Sequence, residues 1–332
     1  MTEKAGILIV NGGKDPAEGR WLQICLNKII ENTIWKNHHI YLWNNNIDDS
    51  WVNQLTQAIT NLTLINANPL KKLQHPHAVP LQYLYELAKT DKCKYIITMD
   101  SDAHPIKKGW LKHMITPLNT NTAISGVWRD ELKEGIPPYA HPSCLCTTVD
   151  FIDKNHLRLD FIAESAGDIN HDTMSSFTDK ALELKLNIHK LYRSNINEIH
   201  RLLGGIYGDI IYHHGAGSRQ HIGFHDEKKG GDTELIQKKI NRKVCDLATS
   251  LIFNYYEKYI GWLQGQLTNT EESYKNEIIF IVGMHRSGTS CLAGCLERCG
   301  LFLGEISRSN VFNIKGNYEL EEVIKIHDDI LS

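Results

Sequence analysis

The chain has 332 residues, 42% of them hydrophobic and 23% charged, enough for one large or two medium globular domains. Its formal net charge of -3 excludes a general electrostatic attraction to nucleic acid or anionic membranes. No apolar run is long enough to span a bilayer, and the opening "MTEKAGILIVNGG" shows no secretory-signal pattern, so a cytoplasmic location is expected.

"GILIV" (Gly6–Val10) is a short apolar run ending in "NGGKDPAEG", which reads as a buried strand entering a loop. "RWLQICLNKIIENT" has helical apolar spacing, and "HHIYLWNNN" is a second strand ending in polar residues. "SWVNQLTQAITNL" is a second helix with Ser50 as its N-cap. "LTLINAN" is a third strand, "VPLQYLYELAKT" a third helix and "KYIITMDSD" a fourth strand. Such alternation predicts an α/β fold with a mostly parallel, Rossmann-like sheet flanked by helices, whose ligand sites lie at the carboxyl ends of the strands. The loops Asn11–Gly19, Asn44–Asp49 and Asp100–His104 all follow strands.

Further on, "TAISGVWRDE" and "CLCTTVDFI" read as strands separated by "GIPPYAHPS", and "DTMSSFTDKALELKL" as a helix. "IYGDIIYHHGAGSRQHIGFHD" reads as one strand entering a loop rich in His and Gly. Asp232 to Ser273 is polar and helical, a connector ending in "TNTEESYKNE". From Glu277 a new strand, Gly-containing loop and helix begin. The expected domains are 1–225, a helical connector over 226–276, and a partial P-loop unit over 277–332. The eight cysteines read as reduced thiols; Cys291, Cys295 and Cys299 form a helical stripe of small buried side chains.

Asp100 and Asp102 stand at the end of a buried strand. Carboxylate oxygens suit hard cations, and Mg2+ is usually held by one or two carboxylates plus substrate phosphates. The same triplet also suits a solvated turn. Its context gives it meaning. The chain resembles the family-2-like nucleotide-sugar glycosyltransferases with the GT-A fold over about residues 5–225. The resemblance rests on "ILIVNGGKD", "IYLWNNNIDD", "HPHAVPLQYLYELAKTDKCKYIITMDSDAHPIKKGWL", "SGVWRDE…YAHPSCLC", "DINHDTMSSFTDKALELKL" and "YHHGAGSR", in that order.

The resemblance implies a nucleoside diphosphate sugar as donor, Mn2+ or Mg2+ as cofactor, and a carbohydrate or glycoconjugate hydroxyl as acceptor. It places Asn11, Gly12, Asn44, Asn46 and Asp100 against the nucleotide sugar. It places the metal on Asp100, Asp102 and one of His214 and His213, with His214 ahead because it borders the loop. Strand alternation lets at most one of these histidines face the site. An inverting transfer needs a carboxylate base, Asp172 or else Asp168; Asp172 could equally cap the following helix. His75, His77, His38, His39, His221 and His225 read as surface or loop residues, Arg219 as a phosphate contact or a solvated arginine, and Trp110 and Trp128 as core or sugar platform. A retaining transferase and a nucleotide-binding module that has lost transferase activity remain alternatives.

"FIVGMHRSGTS" (Phe280–Ser290) has phosphate-loop spacing, with Thr289 where an ATPase loop carries lysine and Arg286 supplying positive charge. With "SNVFNIKGNYELEEVIKIHDDIL" it resembles the 5′-phosphosulfate loop of sulfotransferases that use 3′-phosphoadenosine-5′-phosphosulfate, on Gly283, Arg286, Ser287, Gly288, Thr289 and Ser290. The rest of that domain is missing from the chain, so the expectation is a glycosyltransferase followed by the start of a sulfotransferase domain, without sulfotransfer.

Overall fold

The structure is a computed structural model that describes residues 3–12, 16–46, 50–68, 75–130, 137–160, 173–198, 203–215, 232–266, 306–307 and 319–320. The chain divides into two compact units, Met1–Thr268 and Asn269–Ser332. In the second, β11 (Ile306–Ser307) pairs antiparallel with β12 (Glu319–Leu320). Gly283 to Ser290 and the Cys291, Cys295 and Cys299 stripe lie outside the described residues.

The first unit is built on a seven-stranded sheet. Its strands are β1 (Ala5–Asn11), β2 (His38–Asn44), β3 (Leu62–Asn66), β4 (Tyr95–Asp100), β6 (Thr122–Arg129), β7 (Tyr139–Thr148) and β8 (Asn187–Leu191). Their order is β3-β2-β1-β4-β7-β6-β8, and only β7 runs against the rest. This is the α/β, mostly parallel sheet flanked by helices that the strand-helix alternation predicts.

Burial explains the layers. All seven residues of β1 are buried, as expected for a parallel strand covered on both faces. Successive residues belong to opposite cores: Ile7 and Ile9 to one, Leu8 and Val10 to the other. The first core takes Leu22, Cys25, Leu26 and Ile29 from α1 (Pro16–Asn32), Val52 from α2 (Ser50–Gln57), and Trp110, Leu111 and Met114 from α4 (Trp110–Ile115). The second takes Leu81, Leu84, Tyr85 and Ala88 from α3 (Ala78–Thr90), Phe151 from α5 (Val149–Lys154) and Phe177 from α6 (Ser175–Glu183). These spacings give each helix one apolar face.

Several local expectations are corrected. The loop expected over Asp100–His104 contains a strand, β5 (Ala103–Pro105). The strand expected near Ile206 is a hairpin, β9 (Gly205–Tyr207) and β10 (Ile211–His213), and β10 also pairs with β5. Its turn has positive φ at both Gly208 and Asp209, the backbone that matches strand twist in tight hairpins. Ser50 opens α2 as a helical residue. "VDFI" is helical in α5, and β7 starts at Tyr139, inside the expected loop.

The segment read as a connector forms α7 (Asp232–Asn254) and α8 (Tyr256–Leu263). Ala248, Ile252, Tyr259, Ile260 and Leu263 pack a third core with Trp21, Leu203, Ile206 and Tyr212. Cys25, Cys93, Cys144 and Cys146 are free thiols, and they and Cys245 are all buried. No helix among the described residues is long and apolar enough to cross a membrane.

Candidate functional site

The carboxyl edge of the sheet gathers the polar residues. β1, β2 and β3 end in Asn11, Asn44 and Asn66, which are direct register partners. The Asn11 Nδ2 donates to Asn44 Oδ1 at 3.0 Å, and Asn44 Nδ2 donates to Asn66 Oδ1 at 3.1 Å. Backbone groups pin the amide orientation: Asn46 N donates to Asn44 Oδ1 at 3.1 Å, and Asn44 Nδ2 donates to Asn46 O at 2.8 Å. Asn11 must therefore turn its Nδ2 toward Asn44. Its Oδ1 remains a buried acceptor without a partner. Gly12 is exposed, with open space where a Cβ would stand.

Asn44→Ala strips partners from the Asn11 amide, the Asn66 carbonyl and the Asn46 N–H at once. The expected loss is about 1–3 kcal/mol of stability, read as a lower urea midpoint. An unchanged midpoint would show that the amide chain carries no stability.

Asp100 closes β4 beside this row, one register step before Asn11, since Val10 is its partner on β1. Its two oxygens face different histidines. Oδ1 lies 3.4 Å from His77 Nε2, and Oδ2 lies 3.6 Å from His213 Nε2. The same His213 nitrogen lies 3.7 Å from Asp102 Oδ1. Burial raises the Asp100 pKa, but the His77 hydrogen bond and charge, with His213 and His141 nearby, outweigh it and bring it to about 2. Burial foremost, then neighbouring His141, holds His213 well below the usual imidazole range despite Asp100. Asp100 is thus an anion and His213 a neutral imidazole with a lone pair to offer.

The two adjacent histidines at the end of β10, His213 its last residue and His214 the next, go opposite ways, as extended backbone requires. His214, placed ahead on sequence, turns into the third core. Its ring lies 4.4 Å from that of Trp21, with Nδ1 at 3.1 Å from Tyr212 Oη and Nε2 at 3.2 Å from Thr249 Oγ1. Both ring nitrogens are engaged there, so the His213 ring is the one brought to the carboxylates. His214 contributes through its backbone, whose N–H donates to the Asp102 carbonyl at 3.1 Å.

Two residues at the site escaped the sequence reading. His77 holds the N-cap position of α3. A helix that follows a parallel strand starts at the carboxyl edge of the sheet, and that rule was the available signal. His141 comes from β7: a ring nitrogen of His141, one of His213 and an Asp100 oxygen all lie within 4.8 Å of one another. Trp110 and Trp128 are core residues. Trp110 Nε1 donates to Thr33 Oγ1 at 2.9 Å, and the Trp128 ring carries Lys190 Nζ at 4.0 Å. His38 and His39 sit at the start of β2, at the opposite edge of the sheet from Asp100.

Asp168 and Asp172 lie outside the described residues, as do His221, His225 and Arg219. The helix after them begins at Ser175 with Met174 in the N-cap position, at φ 63°.

No family model matches the chain, and no curated protein matches it by sequence. Among solved structures it is similar to S. aureus TarS 1-349, at 12% identity and a TM-score of 0.41 over 77% of this chain and 74% of that one. It is also similar to S. aureus TarS 1-349 in complex with UDP-GlcNAc, at 14% identity and a TM-score of 0.40 over 60% of each chain.

Proposed function

We propose that the first unit is a metal-dependent glycosyltransferase that moves a sugar from a nucleoside diphosphate sugar to a hydroxyl acceptor with inversion. One observation carries this reading. His213 Nε2 lies 3.6 Å from an Asp100 oxygen and 3.7 Å from an Asp102 oxygen at the carboxyl end of β4, beside the asparagine ends of β1 and β2. Two carboxylates with one neutral imidazole suit a divalent cation, and the imidazole favours Mn2+ over Mg2+. When bound, such a cation supplies charge neutralisation at a leaving diphosphate.

The chain's own groups have separate tasks. Asn11, Asn44 and Asn46 receive the nucleoside, with the buried Asn11 Oδ1 as a pinned acceptor. Asp100 and Asp102, with His213, would hold such a cation, which would supply positive charge for a diphosphate. Asp172, or else Asp168, takes the acceptor proton as the new bond forms. Gly283, Arg286, Ser287, Gly288, Thr289 and Ser290 are proposed to hold a phosphate, a reading that rests on sequence alone.

The test is a panel of nucleoside diphosphate sugars with Mn2+ or Mg2+, following nucleoside diphosphate release and the anomeric configuration of the product. No release from any donor, or retention of configuration, counts against the proposal. A companion pair separates the histidines. His213→Ala is expected to weaken Mn2+ binding by about tenfold or more, in line with the cost of disturbing a metal shell. His214→Ala is expected to leave Mn2+ affinity nearly unchanged while lowering the unfolding midpoint. Equal losses of affinity would overturn the assignment.

A further inference from the structure

By residue type and by proximity, with ligand atoms within 4.8 Å of one another, His141 completes a metal-ligand group with Asp100 and His213. Its hydrogen bonding points elsewhere. Gly126 of β6 pairs with Leu145 of β7, whereas Trp128 pairs with Ala140, so His141, Pro142, Ser143 and Cys144 stand opposite Val127 alone. Pro142 has no N–H to give to a ladder, and an irregularity is where a strand tolerates proline. Such bulges commonly re-aim side chains beside functional sites.

Within this bulge the Ser143 backbone N–H donates to His141 Nδ1 at 3.0 Å. A backbone N–H is always a donor, so Nδ1 carries no proton. The neutral ring must then hold its proton on Nε2, which makes Nε2 a donor. Ligating a metal through Nε2 would require the proton on Nδ1, where it would meet the Ser143 N–H donor to donor. His213 carries no such constraint in its contacts with the two carboxylates.

The place of His141 along the sheet edge matters as well. The order β3-β2-β1-β4-β7 puts Asn66, Asn44 and Asn11 on one side of Asp100 and His141 on the other. A ligand with its nucleoside over the asparagines and its diphosphate at Asp100 carries its sugar-bearing phosphate toward β7. The His141 and His213 rings are 5.3 Å apart, centroid to centroid.

We propose that His141 is a phosphate-binding catalytic residue and not a metal ligand: its Nε2–H donates to an oxygen of the phosphate that bears the sugar. This rests on the glycosyltransferase reading. In the reaction the bond from the anomeric carbon to the phosphate oxygen breaks, and its electron pair stays on that oxygen. The acceptor oxygen bonds to the carbon and loses its proton to the carboxylate base. His141 keeps its own proton throughout and stabilises the growing phosphate charge, as preorganised donors do.

The experiment uses the full chain, with Mn2+ alone and then inorganic pyrophosphate plus Mn2+ as probes. Free Mn2+ is counted by electron paramagnetic resonance, and the wild-type His141 tautomer is read from long-range 1H–15N couplings. His141→Ala is expected to keep Mn2+ affinity within about twofold of wild type while losing about tenfold in pyrophosphate affinity, the effect of one charge-assisted hydrogen bond. His141→Gln, whose amide NH2 reaches the Nε2 position, is expected to recover most of that loss. His141→Asn is not. The wild-type spectrum should show the Nε2–H form. A His141→Ala loss of Mn2+ affinity matching that of His213→Ala, unchanged pyrophosphate affinity, or an Nδ1–H tautomer would each overturn the proposal. These readouts do not depend on turnover, so a wild-type chain that releases no nucleoside diphosphate would count against the glycosyltransferase reading alone.

Discussion

Asp102→Ala is expected to lower nucleoside diphosphate release by about a thousandfold, near the upper end of what losing one electrostatic contact to a transition state costs. The physical reason lies in the convergence of charges. Asp100 and Asp102 both face His213 Nε2, at 3.6 and 3.7 Å. On the proposed metal-dependent reading, removing one carboxylate weakens the hold on a divalent cation. Asp102→Asn keeps the shape and removes only the charge, so a similar loss would identify charge as the cause. Chelation of the metal should reproduce the loss in wild type. Added Mn2+ should restore wild type fully and the Asp102 variants barely. Release that survives both Asp102→Ala and chelation would defeat the metal-dependent account.

Gly204→Ala is the largest stability effect expected from a single methyl group. Gly204 has φ +84°, and a Cβ there would meet Tyr212 Cζ at 2.7 Å and Cε2 at 2.8 Å, besides its hydroxyl. The backbone has little freedom to retreat, because the Gly204 carbonyl accepts from Arg193 Nη2 at 2.7 Å and Asn195 Nδ2 at 3.1 Å. The Tyr212 ring is fully buried in the third core beside His104. Left-handed strain of about 1 kcal/mol adds to about 1–3 kcal/mol of overpacking. At 2–4 °C per kcal/mol for a unit of this size, the unfolding midpoint should fall by on the order of 10 °C.

The effect should also reach the site. Tyr212 immediately precedes His213 in β10 and holds His214 through its hydroxyl. Displacing the ring moves the strand that carries His213, so Mn2+ affinity should fall with stability. Tyr212→Phe removes the first atom that the new methyl meets. The double variant should therefore be less destabilised than the sum of the two single changes, a coupling expected for contacting residues. Strict additivity would show that the strain lies in the Gly204 backbone alone.

Most of the local structure of the first unit is legible in its residue pattern. Apolar runs such as "GILIV" and "YIITM" became strands because burial on both faces demands unbroken hydrophobicity. Helices α1 and α3 were legible from one apolar stripe each. The abrupt end of "YIITMD" in Asp100 located the carboxyl edge, because a charge cannot continue into that core. The rule that one of two adjacent strand histidines faces the site was also local, although the choice of His213 over His214 was not.

The rest came from how the elements pack against one another. Residue spacing reports which face of one element is buried, not which residue of another element stands beside it. The alignment of Asn11, Asn44 and Asn66 depends on register across three strands. His213 was selected because Trp21, Tyr212 and Thr249 offer His214 a buried place and two hydrogen bonds. His77 and His141 reach Asp100 from a helix start and from a bulged strand, far from it along the chain. The tautomer of His141 follows from one hydrogen bond in a bulge around Pro142, in a stretch that reads as loop because proline is rare within strands.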